Sequence, residues 1–151
     1  MEKLEFMRIF VIILIIILSC SCTRSPEPEI ETTISCLADL ILESAEFPAM
    51  ITLTEPSDIE ALLPDINFNE IEEIVLIQQA LSVHLTEVIL IKPASPEVMS
   101  VLLERQKILK EQLAFYPAQV LSAEASVIGT FHNIAYLICH EDAEKISRPL
   151  A

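Results

Sequence analysis

The apolar positions of this chain fall into blocks of different period, and each block predicts a different element. Ile9 to Leu18 form an unbroken apolar run with no period at all. From Ile34 the pattern turns helical: Ile34, Leu37, Ala38, Ile41, Leu42 and Ala45 recur at i, i+3, i+4 and i+7, with Thr33 placed to cap and Pro48 to end the helix. Met50 to Leu53 reads as a short extended piece. Ser57 to Leu63 reads as a short helix, with Ser57 as its cap, Glu60 three positions on and Pro64 as its stop. Ile71 to Ala80 and Thr86 to Lys92 are rich in β-branched aliphatics and predict strands. Ser95 and Pro96 open the next helix as N-cap and first residue, and Val98, Leu102, Leu109 and Leu113 form its apolar face to about Phe115. Pro117 starts a shorter helix toward Ala123. Ala125 to Phe131 and Ile134 to His140 predict a hairpin around His132-Asn133, followed by a terminal helix on Glu141 to Glu144. Local helices and hairpin-linked strands together predict an α+β fold, a small antiparallel sheet of about four strands with helices mainly on one face.

The run at Ile9 to Leu18 carries the most specific signal. Export signals use an apolar stretch of roughly 7–15 residues, whereas a membrane-spanning helix needs about 20. Lys3 and Arg8 precede the run, offset by Glu2 and Glu5. Its end, Ile17-Leu18-Ser19-Cys20, resembles the lipobox of bacterial lipoproteins, in which a small residue precedes the cysteine that receives a diacylglyceryl group. Cys22 is the weaker alternative, because Ser19 stands where a large aliphatic residue is usual. The expected layout is a signal peptide over 1–19, lipidated Cys20 with a disordered tether over 20–33, and one α+β domain over 34–151. Thr23 to Thr33, rich in Pro, Glu and Thr, lacks the apolar surface to pack. The expected partner of the anchor is the lipid bilayer, and the expected location is the outer face of the cytoplasmic membrane. Two or more acyl chains give stable attachment where one does not.

Composition narrows the function. The chain has 9 basic and 23 acidic residues, for a formal net charge of −14, which disfavours nucleic acid as a partner. Hydrophobic residues make up 52%, enough for a packed core. The chain has 1 glycine, Gly129, so a Walker-type phosphate loop, a dinucleotide fingerprint and a Gly-x-Ser-x-Gly elbow are all excluded.

Between residues 34 and 149 the chain resembles a family of lipoproteins from Gram-positive bacteria that carry domain of unknown function four-three-five-eight. The similar pieces are the early acidic helix, the strand Thr86 to Lys92 and the charged helix Glu104-Arg105-Gln106-Lys107 with its Tyr116-Pro117 end. The closing run Asn133 to Lys145 is the fourth. The resemblance implies fold and location and brings no activity. One departure is His132-Asn133-Ile134 where the family has Gly-Asn-Tyr; a histidine adopts positive φ less readily, so a longer turn is expected here.

The candidate chemistry is sparse. Cys36 and Cys139 could form a disulfide outside the cell, or remain free thiols with Cys139 packed as a small hydrophobe. His84, His132 and His140 could be considered with Cys139, Glu141 and Asp142 as metal ligands, but adjacent strand residues face opposite ways and no ligand spacing is present; no metal and no cofactor are expected. His140 is expected to end its strand, with Glu141, Asp142 and Glu144 in the first turn of the following helix. Glu104, Arg105, Lys107, Lys110 and Glu111 read as a solvated helix face with a Lys107–Glu111 pair. Glu55, Asp58, Glu60 and Asp65, with Glu70, Glu72 and Glu73 behind them, read as a solvated acidic surface; Glu70, Glu72 and Glu73 are the candidate interaction residues. No catalytic residue is assigned. The preferred expectation is a non-enzymatic, membrane-anchored module that binds an envelope protein or peptide and has no deep polar pocket. The alternative is an extracytoplasmic solute receptor or hydrolase using the Glu55–Glu73 carboxylates and His84.

Overall fold

A computed structural model describes residues 33–81 and 83–150; Cys20, Cys22 and the predicted signal and tether lie outside them. Helix α1 (Ile34–Glu43) begins where Thr33 Oγ1 accepts the Cys36 N–H at 3.3 Å. Strand β1 (Met50–Leu53) leads into α2 (Pro56–Leu62), a short 3-10 turn at Phe68–Glu70, and strands β2 (Glu73–Gln79) and β3 (Glu87–Lys92). Helix α3 (Pro96–Ile108) runs into a π-helical turn (Leu109–Leu113), then α4 (Pro117–Ala125). The hairpin β4 (Val127–Phe131) and β5 (Ile134–Cys139) precedes α5 (Ala143–Ser147) and a final 3-10 turn.

The strands form one antiparallel sheet in the order β1-β2-β3-β5-β4. The α+β class is as expected, and two details differ. Met50 to Leu53 is a true edge strand, paired Met50 to Gln79 and Leu53 to Leu76, so there are five strands and not four. Helices also cover both faces. Val88, Leu90, Ile134, Tyr136 and Ile138 point into a layer closed by α1 and α5. Ile89, Ile91, Ala135, Leu137 and Cys139 point into the opposite layer, closed by α2, α3 and α4. A sheet wet on one side alternates apolar and polar residues, whereas a strand buried on both sides is continuously apolar. The runs of β3 and β5 are of the second kind.

Local chemistry accounts for most boundaries. Ser95 Oγ accepts the Val98 N–H at 3.2 Å with Pro96 at the first helical position, as the sequence predicts. In α2 the helix starts one residue earlier than expected: Pro56 takes the first position, Glu55 precedes it, and Ser57 is inside the helix and caps nothing. The expected burial of Leu113 fails because the π-helical turn inserts an extra residue and rotates the end of the helix; Leu109 is fully buried and Leu113 is exposed. The terminal helix also begins later than expected. His140, Glu141 and Asp142 form a corner, and only Glu144 lies in its first turn.

The single glycine has a packing role. Gly129 sits opposite Tyr136 across the β4–β5 pair, and a Cβ built there would lie 2.5 Å from Tyr136 Cζ. The tyrosine ring covers the space that any other residue would fill. The hairpin turn is not longer than a tight one: Phe131 pairs with Ile134, leaving the two-residue loop His132-Asn133. His132 takes φ 50° and sets its ring edge-on to Phe131 at 4.4 Å, so a non-glycine residue occupies the left-handed region.

Candidate functional site

The register of the two central strands gathers the polar chemistry at one end of the sheet. Glu87, first in β3, pairs with Cys139, last in β5. Strand alternation sends both side chains toward α3 and α4. There Glu87 meets Arg105 in a bidentate ion pair, Nε to Oε1 at 2.9 Å and Nη2 to Oε2 at 2.6 Å, with both residues buried. Burial opposes the Arg105 charge, but the hydrogen bonds and charge of Glu87 outweigh it and hold the guanidinium above its ordinary value. The expected solvated face of the long helix is therefore wrong at this residue. Arg105 lies on the stripe of Val98, Leu102 and Leu109, and α3 needs a buried carboxylate there. Lys107 pairs with Glu104 at 3.8 Å instead of Glu111.

Cys139 shares this buried layer. Its thiol donates to the carbonyls of Leu85 and Ser122 at 3.4 and 3.5 Å. Burial, reinforced by the Glu87 charge, pushes the thiol up to about 12. Cys36 is exposed on α1, on the other side of the sheet, and both thiols are free. The disulfide is not formed because the sheet stands between them.

Just beyond the paired ends lies a cavity of about 460 Å³. Its floor is made by Thr86, Ser122 and His140, all buried, and its wall by the half-buried ring of Phe47. Its rim carries the exposed side chains of Glu46, His84, Glu141 and Asp142. His140 ties the corner together. Its Nδ1 accepts the Asp142 N–H at 3.0 Å, so the proton sits on Nε2, which donates to the Glu46 carbonyl at 3.2 Å. The ring also packs against Phe47, with centroids 4.7 Å apart. These contacts join the α1–β1 loop to the β5–α5 corner across 94 residues of sequence.

The sequence-predicted candidates are only partly assembled here. His84, His140, Glu141 and Asp142 do share the cavity, while His132 sits in the hairpin turn at the other end of β5. Among the described residues no group of three or more His, Cys, Asp or Glu side chains is placed to hold a metal ion. The Glu55–Glu73 carboxylates do not line this cavity. Glu70 accepts from Asn67 at 2.8 Å and, with Asp65 and Glu97, borders a smaller recess of about 240 Å³. Glu72 pairs with Lys92 at 3.7 Å, and Glu73 opens β2 opposite that same lysine. The three candidate interaction residues thus lie at the far end of β3 from the cavity. Thr86, Ser122 and Glu46 carried no signal in the sequence. Arg105 carried one, a charge on an apolar stripe.

The architecture is that of an antiparallel α+β domain, helix-covered on both faces, with a polar-floored cavity at one end of its central strands. The chain belongs to the family described as Domain of unknown function (DUF4358), whose model matches residues 44–140. The matched span contains every strand and both central-strand ends. No curated protein and no solved structure matches the chain significantly. Among the described residues no helix is long and apolar enough to cross a membrane.

Proposed function

We propose that this chain is a lipid-anchored protein of the outer face of the cytoplasmic membrane, and that its α+β domain is a non-catalytic binding module. Support for the anchor comes from Ile17-Leu18-Ser19-Cys20 at the end of a ten-residue apolar run, ahead of the Pro-, Glu- and Thr-rich segment that leads to α1. The observation that carries the binding role is the cavity of about 460 Å³ built from four separate segments of chain, within the size range of ligand sites. The expectation of a hydrophobic or acidic patch with no deep polar pocket gives way to a recessed site. Two features favour binding over catalysis. Both ring nitrogens of His140 are engaged by backbone groups, and Cys139 is a buried thiol held in its protonated form.

The test has two arms. Mass spectrometry of the N-terminal peptide from membranes is expected to find a diacylglyceryl group on Cys20, lost in Cys20→Ala and kept in Cys22→Ala. A photo-crosslinker at Ala118, beside the cavity on α4, is expected to capture a discrete partner in intact membranes. An unmodified Cys20 would remove the anchor, and equal capture from a crosslinker placed at exposed Glu60 on α2 would remove the site.

A further inference from the structure

We infer that the cavity binds an organic ammonium group, a deduction that rests on the binding role proposed above and adds the chemistry of the ligand. Two observations converge. The first is charge: Glu46, Glu141 and Asp142 stand on the rim, none of them engaged in an ion pair among the described residues, and no lysine or arginine lines the cavity. In a chain of net charge −14, such an opening concentrates cations. The second is independent of charge. Thr86 is 3% exposed and Ser122 8% exposed, and both line the cavity; among the described residues neither hydroxyl bonds to protein and no enclosed side-chain oxygen lacks a partner, so these two hydroxyls open onto the cavity. Hydroxyls on side chains otherwise packed into the fold and open only at a cavity can bond to whatever occupies that cavity. Two of them facing one recess, with carboxylates above, present acceptors to a donor that enters from outside.

An ammonium group fits this set better than the other cations. It is a compact charge with three rotatable donors, able to reach separate oxygens on the floor and rim. A guanidinium prefers two parallel bonds to one carboxylate, and the deep positions here are single hydroxyls. A bare metal ion needs several oxygens or nitrogens converging at short range, and these residues do not converge so. Phe47 adds an aromatic wall suited to the alkyl part of the ligand and to cation–π contact. The ammonium could be borne by a free alkylamine or by a lysine side chain of a peptide; both present the same group to the cavity.

The test uses the isotope-labelled full chain in detergent micelles, followed by amide resonances. At about 10 mM, where a site of millimolar affinity is filled, 1,4-diaminobutane and acetyl-Gly-Lys-Gly-amide are the ammonium probes and 1,4-butanediol is the neutral one. The expected result is saturable shifts at Thr86, Ser122 and Asp142 with at least one ammonium probe and none with the diol; tighter binding of the diamine or of the peptide identifies the source. Glu141→Gln/Asp142→Asn is expected to weaken binding about tenfold, and Thr86→Val about three- to fivefold. Both acidic residues are exposed and Asp142 makes no side-chain cap bond, so the double variant keeps its fold, which its own amide spectrum verifies. Shifts of equal size with the diol, no shifts with either ammonium probe, or undiminished binding in the double variant would overturn the inference. If the Ala118 crosslinks persist while the ammonium probes fail, the binding module stands and only the ligand chemistry is wrong.

Discussion

Removing one half of the Glu87–Arg105 pair should cost far more than removing both. The two groups are held by bonds of 2.9 and 2.6 Å, with side-chain exposures of 7% for Arg105 and 3% for Glu87. At an effective dielectric of about 20, opposite charges roughly 3 Å apart attract by about 5 kcal/mol. Stripping water from each ion costs several kcal/mol, so the intact pair comes close to balance against an apolar alternative. Glu87→Met leaves the guanidinium buried with no counter-charge and is expected to destabilise by about 3–5 kcal/mol, lowering the midpoint of thermal unfolding by about 10–20 °C. Glu87→Met/Arg105→Met restores an apolar match on the stripe of Leu102 and Leu109 and is expected to recover most of the loss. Chemical denaturation followed by far-UV circular dichroism measures both. The cycle is valid only if the denaturant slope is unchanged. A single variant costing less than about 1 kcal/mol, or a double variant as unstable as the single one, would refute the buried-pair account.

Gly129→Ala should destabilise by about 2–3 kcal/mol, since the new methyl overlaps the Tyr136 ring; Tyr136→Ala in the same chain should return part of it, measured by the same denaturation. His132→Asn should stabilise by about 0.5–1 kcal/mol because asparagine tolerates positive φ more readily, and unchanged stability would show that the ring contact with Phe131 compensates the strain. Alkaline stability should depend on Cys139. Its thiol titrates near 9.0 unfolded and about 12 folded, so its contribution is complete below pH 9 and is lost as pH rises from 9 toward 12, at most about 4 kcal/mol. Cys139→Ala should flatten stability across that window, and an unaltered slope would contradict the raised thiol. Iodoacetamide labelling with peptide mapping at neutral pH should modify exposed Cys36 and spare Cys139 until the chain unfolds.

Much of the architecture was legible because it is written in short-range chemistry. The helix face Ile34, Leu37, Ala38 and Ile41, the Ser95-Pro96 start and the strand β3 all stand where their patterns put them. The local pattern misleads where a longer-range fact overrides it. Met50 to Leu53 becomes a strand only because Leu76 to Gln79 lies beside it. The π-helical turn at Leu109–Leu113 breaks the period that would carry Leu113 into the core. The two-sided burial of β3 and β5 was present in their unbroken apolar runs, a signal that the hairpin pattern concealed.

The site was less legible than the fold because it depends on register. Thr86 and His140 are 54 positions apart, and nothing in their neighbours marks them as partners; the pairing of Glu87 with Cys139 is what brings both to one sheet end. That same pairing commits the layer beneath to a buried charge, since alternation turns Glu87 toward α3, where the apolar stripe of the helix presents Arg105. The cavity and the ion pair are thus two consequences of one strand alignment. A register shift of one residue would turn Glu87 toward α1, leave Arg105 without a partner and move Thr86 off the floor. This coupling explains why the polar groups stand at the ends of the central strands and not along them: only there can a side chain leave the apolar layers while its backbone stays paired. Glu70, Glu72 and Glu73 are the most conspicuous carboxylates of the sequence because they are clustered and solvated. The carboxylates that shape the cavity come from the α1–β1 loop and the β5–α5 corner, and only the folded sheet makes them neighbours.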